Sequence, residues 1–487
     1  MPLRPLSRYK TWLLPPSLDE LIPQDHPVRF VAAFVDALDR EAWAELGIGL
    51  DGEALGAPCY HPRALLSVWL YGFMTGVRSS RKLEAACRDQ MSYLWLTGWQ
   101  HPDHNTLWRF YREHRDTMRQ LFKRTVHTAV KLGLVDLAVQ AVDGTKIAGN
   151  AAKGRTYDRE GLQRLLEKTE AAIQELEKQN ETGNDPPPPR LPQKLAQAQH
   201  LLAEVKTAMK ELVEEGRKRI NLTDGDVESM KSHQRIVAGY NLQAVVSPVE
   251  VTEADRTGLL ITAAAVVRDK NDTAQLVPML ERAEEMTGRR AAVSLADAGY
   301  HSGSNLEACE QRQQVVVMPE HHEKALTLPY HKDRFTYDAA TDSYTCPRGQ
   351  VLRFTRVKYT RGTLMRLYRA SGATCRKCAA FGTCTKDRCR GRALEIGPYD
   401  AVLHRHRVSM ATEEAQAAYR RRMALPEPVF GILKEQMGVR RFLLRGLAQV
   451  QAEAKMLATA FNLRTLYRIW QGWSLEKRQL LIKALAA

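Results

Sequence analysis

Apolar positions in the first part of the chain recur at helical spacing. In HPVRFVAAFVDALDREAW, Val28, Phe30, Val31, Phe34, Val35 and Leu38 form one broad apolar face. Pro62 opens a second helix over RALLSVWLYGFMTG, and Gly76 closes it. SRKLEAACRD and MSYLWLTGW follow. A long run, DHNTLWRFYREHRDTMRQLFKRTVHTAVKLG, then sets Leu107, Phe110 and Tyr111 beside Arg109, Arg112, His114 and Arg115. Residues 13–135 therefore read almost entirely as helix. Past Gly133 the pattern shortens. LAVQAVDGTKIAGN reads as a buried strand from Leu137 to Val142 that runs out at Asp143, and AAVSLADAGYHSG as one from Ala291 to Leu295 followed by Asp297.

Between Gly154 and Asn221 the helical period returns in two arms. Leu162, Leu166, Thr169, Ile173 and Leu176 mark the first, and Leu195, Ala198, Leu202, Val205, Met209 and Leu212 the second. NETGNDPPPPRLP separates them and cannot continue a helix, so the pair reads as an antiparallel hairpin inserted at 155–220. RIVAGYNLQAVVSPVEV and TGLLITAAAVV are strands, NDTAQLVPMLERAEEMTG a helix stopped by Gly288, and QQVVVMPEH a further strand. The order strand, strand, strand, helix, strand, helix, strand describes a mixed α/β domain. The last hundred residues turn helical again, with Leu443, Leu444, Leu447, Val450 and Met456 as a packed face.

At 487 residues, two or three domains are expected. Lys and Arg number 71 against 56 Asp and Glu, a formal charge of +15 that favours a polyanionic partner, nucleic acid first. No stretch has the length of a membrane span or the architecture of a signal peptide, which points to a cytoplasmic protein. The basic helices near Arg109–Arg115 suit a helix-turn-helix-like DNA reader or a helical packing domain with a solvated face. Periodicity does not separate the two. Of eight cysteines, Cys59, Cys87 and Cys309 stand apart. Cys346, Cys375, Cys378 and Cys384 form C-x28-C-x2-C-x5-C, with Cys389 beyond. A Cys-x2-Cys knuckle lets two thiolates share one tetrahedral Zn²⁺, so structural zinc is one reading, and reduced or redox-active cysteines are the others.

Two carboxylates at the ends of two sheet strands are how a protein holds a divalent cation with oxygen ligands. A third acid, Glu427, sits between Pro426 and Pro428 at a helix entry, amid Arg420, Arg421, Arg422, Lys434, Arg440 and Arg441.

Together HPRALLSVWLYGFMTGVRSSRKLEAACRD, PDHNTLWRFYR, VDGTKI, GYNLQAVV, ADAGYHS and YRRRMALPEPVFGILKE resemble the DDE-type transposases of bacterial insertion sequences. The likeness is to the group with an N-terminal helical domain and a cysteine-containing segment before the last acid. It implies a ribonuclease H-like catalytic domain over 136–320, interrupted by the hairpin. It also implies a helical, DNA-binding domain over 1–135, a Cys-rich module over 321–398, and a C-terminal part over 399–487 carrying the last acid. Asp143, Asp297 and Glu427 match the three catalytic acids, which would hold two Mg²⁺ (or Mn²⁺). Tyr419, Arg422 and Lys434 match the residues that contact DNA phosphates, although the spacing from Arg422 to Glu427 is one residue longer than in the commonest form of the signature. The implied partners are double-stranded DNA at the element's ends, target DNA and further copies of the chain, in the bacterial cytoplasm. A metal-dependent nuclease on the same fold and a catalytically silent DNA-binding derivative are the alternative functions. His301, close to Asp297, is expected to be a local structural residue rather than a base.

Overall fold

A computed structural model describes residues 17–50, 59–181, 191–232, 235–251, 256–321, 327–360 and 362–486. The proline tip of the expected hairpin, 182–190, and residues 13–16 and 51–58 of the expected helical region lie outside these. About half of the chain is helical and the rest includes curled sheets, a mixed α/β architecture. It divides into two compact units: Met1–Asp136, Gly144–Lys270 and Pro428–Ala487 form the first, Leu137–Asp143 and Asn271–Glu427 the second.

In the first unit, seven short helices precede the sheet among the described residues. His26 and His61 each cap a helix that begins with proline, Pro27–Ala37 and Pro62–Thr75, and Gly76 ends the latter at φ +81°. Two expected helices divide. The first stops at Ala37 because Asp39 accepts from the Ala42 amide at 2.8 Å and starts Arg40–Glu45 anew. The long basic run breaks at Arg115–Met118 into His104–His114 and Arg119–Lys131. Leu107 and Tyr111 are buried as their spacing demands, with Tyr111 stacked on Trp69 at 4.4 Å.

Strands β4 (Glu228–Ser232), β5 (Arg235–Val251) and β6 (Arg256–Val267) pair antiparallel in sequence order. The later half of β1 (Val139–Ala148) belongs with them: the Gly149 amide donates to the Ala238 carbonyl at 3.0 Å. A Cβ on Gly239 would overlap the Ile147 carbonyl oxygen, so only glycine permits this approach. The helix Leu447–Gly472 covers β6. Its Asn462 both accepts from the Ile261 amide and donates to the Ile261 carbonyl, at 2.9 Å each, supplying backbone partners to that strand. Val450 and Met456 face this core, whereas Leu443 and Leu444 lie ahead of the helix.

The same helix carries Glu453, whose carboxylate accepts from Arg78 Nη1 at 2.7 Å and from the Leu443 and Leu444 amides. The two side chains are only 2% and 6% exposed. Burial raises the Glu453 pKa, and the Arg78 charge opposes that rise. Helices Arg159–Glu181 and Leu191–Glu214 pack together with β2 (Thr156–Tyr157) and β3 (Ile220–Asn221) at their base, where Leu162, Val205, Ala208, Leu212 and Ile220 form a small core.

In the second unit β1 pairs parallel with β7 (Val293–Leu295), Val139 opposite Val293, and β7 pairs parallel with β8 (Val315–Val317). Helices Leu276–Thr287 and Gly303–Gln311 connect them, with Gly288 ending the first at φ +67°. A five-stranded antiparallel sheet follows, in the order β13 (Ala393–Ile396), β12 (Thr363–Arg369), β11 (Val351–Thr360), β10 (Ser343–Thr345), β9 (Thr336–Asp338). Its core is Phe335, Leu352, Tyr368, Ala370, Cys375 and Leu394. Among the described residues no helix is long and apolar enough to cross a membrane.

Candidate active site

Asp143 does not end its strand, as the Asp-Gly pair suggests. The strand continues through Gly144 to Ala148, buried over Val139–Val142 and buried again at Ile147, so extended backbone carries past the acid. Asp143 is thus held by pairing on both sides of it rather than in a turn. Asp297 does lie just past its strand. It caps the short turn Ala298–Tyr300 and accepts from the Gly299 amide at 2.8 Å.

The β1–β7 pairing brings these acids to one guanidinium. Arg422 Nη2 donates to Asp143 Oδ2 at 2.8 Å and stands 3.9 Å from Asp297 Oδ2. Arg422 and Asp143 are largely enclosed, their side chains 13% and 15% exposed, and Asp297 is more open at 37%. Two carboxylates facing one cation is an arrangement that favours positive charge between them.

Tyr300 lies fully buried behind the pair. Burial drives its hydroxyl pKa well above the ordinary value, and the charges of Asp272, Asp143 and Asp297 push the same way. Asp272, at the entry to the turn Thr273–Gln275, is therefore a further acid of this neighbourhood. Sequence reasoning missed it; its signal was an acid directly ahead of a helix, in NDTAQ.

Glu427 occupies the first turn of the helix Pro426–Gly431 and is exposed. Among the described residues no group of three or more His, Cys, Asp or Glu side chains stands ready to hold a metal ion. The aspartates are thus gathered and the glutamate is not gathered with them into such a group. Tyr419 is half-buried near the end of Glu413–Arg420. Past Glu427 the helix widens into a π turn, Ile432–Gln436, and there Lys434 Nζ donates to Thr145 Oγ1 at 2.5 Å, two residues along β1 from Asp143. His301 sits half-buried, its ring 5.7 Å from that of His406, and burial lowers its pKa.

Two family models match. Transposase domain (DUF772) matches residues 16–113, and Transposase DDE domain matches residues 345–467. Together the two matches support a DDE-type transposase of insertion sequences. The DDE match spans Tyr419, Arg422, Glu427 and Lys434 of the transposase, while Asp143 and Asp297 fall in 114–344, outside both matches. No curated protein matches the transposase.

Elsewhere in the same unit, Cys346, Cys375, Cys378 and Cys384 of the transposase line one cavity of about 20 Å³. The Arg348 and Gln350 amides donate to Cys346 Sγ at 3.4 and 3.3 Å, and the Arg392 amide to Cys375 Sγ at 3.4 Å. Burial raises the Cys384 pKa, with the other three sulfurs acting in the same direction. All four are free thiols that share a cavity without closing into a metal-holding group, and Cys389 is exposed.

Proposed function

We propose that this transposase cuts DNA at the ends of an insertion sequence and joins the freed strand to target DNA. Asp143, Asp297 and Glu427 are its catalytic acids, on a ribonuclease H-like domain. The observation that carries the reading is the single Arg422 nitrogen on both Asp143 and Asp297. Antiparallel β4, β5 and β6 in one unit, and β1, β7 and β8 in parallel in the other, support the fold assignment.

The donor set fits Mg²⁺ or Mn²⁺: it is all carboxylate oxygen, and its two aspartates already face one positive charge. Asp143, Asp297 and Glu427 would hold the ions, which when bound supply an activated oxygen nucleophile and a stabilised leaving oxygen. The protein's own part is to place these acids and to bind phosphate. Arg422 offsets the charge of the aspartates until DNA arrives, then turns its own charge to a phosphate. Lys434 and Tyr419 hold the backbone in register without reading sequence. Water attacks at the donor cut, and the freed 3′-hydroxyl attacks at strand transfer.

A structural Zn²⁺ in the region of 321–398 would require Cys346, Cys375, Cys378 and Cys384, which line one cavity, to close around it. The helices of 1–135 would contribute DNA contacts, and the active assembly on DNA would contain more than one copy.

The test is strand cleavage and joining on duplexes carrying the element's ends, with Mg²⁺ and with chelator. Asp297→Asn and Glu427→Gln should each abolish both products. Cleavage without end preference or joining would favour a nuclease, and specific binding without cleavage by the unsubstituted chain a silent DNA-binding protein.

A further inference from the structure

The β11–β12 pair extends beyond the sheet that anchors it. β10 pairs with β11 only along Val351–Arg353, and β13 pairs with β12 only along Arg366–Arg369. After a register shift between Phe354 and Arg356, β11 pairs with β12 alone, and from Lys358↔Met365 outward to Thr360↔Thr363 neither strand has another partner among the described strands. A lone two-stranded ribbon is marginally stable in water and exposes unpaired edges, so a protein that keeps one commonly uses it.

Its side chains are not those of a solvated hairpin. Tyr359 is 78% exposed, and Val357, Leu364 and Phe354 are exposed as well. Val357 opposite Arg366 and Tyr359 opposite Leu364 alternate onto one face, where Arg366 lies over the Phe354 ring at 4.7 Å. Arg356 and Lys358 fall on the other face. Among the described residues of 351–369 there are five basic side chains, Arg353, Arg356, Lys358, Arg366 and Arg369, and no acid. Lys358 pairs with Glu395 and Arg366 with Asp342, whereas Arg353 and Arg356 make no ion pair among the described residues.

We propose that the β11–β12 ribbon is a DNA-contacting arm that lies in a groove of duplex DNA, with Arg353 and Arg356 on phosphates and Tyr359 against the groove wall. A two-stranded ribbon has the width that the major groove admits. Unopposed arginine with exposed aromatic surface suits a polyanion with apolar base edges better than it suits another protein. The inference rests on the transposase reading and adds to it a contact surface apart from the acids.

The experiment is fluorescence anisotropy of the full chain on a labelled duplex of random sequence over a range of salt. Arg353→Ala with Arg356→Ala should lower the log–log salt slope by about 1.8 and weaken binding roughly tens of fold near 0.1 M salt. Tyr359→Ala should weaken binding several-fold and leave the slope unchanged. These side chains are on the exposed tip and its approach, so melting temperatures should stay at the unsubstituted value, and Lys206→Ala with Lys210→Ala on the helical hairpin is the charge-matched control. Unchanged slope and affinity in a double variant that melts normally would overturn the proposal. So would a loss of self-association on sedimentation with DNA binding intact, which would make the ribbon a protein interface. Either result leaves the Asp143 and Asp297 assignment standing. No duplex binding by the unsubstituted chain would remove both.

Discussion

Removing Arg422 exposes the electrostatics on which the site rests. In Arg422→Ala, Asp143 loses a charged hydrogen bond of 2.8 Å in a largely enclosed place, a contact worth about 1.5–3 kcal/mol. Asp297, at 3.9 Å and more than a third exposed, loses about 0.5 kcal/mol once solvent screening is allowed for. The variant should therefore be less stable than the parent by about 2–3.5 kcal/mol in chelator. The freed acids should also bind divalent cation more tightly, because the guanidinium no longer competes. A tenfold gain in Mg²⁺ affinity would return about 1.4 kcal/mol at saturating metal. The assay is thermal and denaturant unfolding of both proteins in chelator and in Mg²⁺, with Asp143→Asn and the double variant completing a cycle. The double variant should be more stable than Arg422→Ala alone, since it leaves one fewer uncompensated charge. Equal stability of Arg422→Ala and parent in chelator, with equal responses to Mg²⁺, would refute the reasoning.

Three further outcomes are expected. Glu453→Ala, which leaves Arg78 enclosed with no counter-ion, should cost about 3–5 kcal/mol in denaturant unfolding, and a loss below about 1 kcal/mol would contradict the buried pair. Lys434→Ala should lower the salt slope of DNA binding by about 0.9, so that its affinity converges on the parent's as salt rises; an unchanged slope would separate Lys434 from phosphate. Protein purified with zinc in the medium should carry about one Zn²⁺ per chain by mass spectrometry, and Cys375→Ser should lose it. A metal-free parent protein would leave the cysteines as packing residues.

The aspartates were legible because each closes an apolar strand run, and a run of that kind needs no tertiary information to be recognised. That β1 passes straight through Asp143 was not, since Asp-Gly reads locally as a turn and the residues after it lack the apolar run that precedes it. Caps were readable where the side chain acts on its own helix: Pro62 and Gly76 bound one helix as expected, while Asp39 restarts another that apolar spacing alone carried through. Contacts across long stretches of sequence left no trace in either pattern. Arg78 meets Glu453, Asn462 serves Ile261, and Asp272 joins the acids near Tyr300 only because the chain folds back on itself. Glu427 was singled out through resemblance, because an exposed acid at a helix entry has no periodic signature.

The central claim is that the carboxylate of Asp143 is needed for DNA strand chemistry and not for holding DNA. Asp143→Asn keeps the side chain's shape and removes its charge, so parallel gel-shift and strand-cleavage assays on duplexes bearing the element's ends separate the two roles. Binding at least as tight as the parent's, with cleavage and joining both abolished in Mg²⁺, is the predicted result. Cleavage at the parent's rate by Asp143→Asn would contradict it.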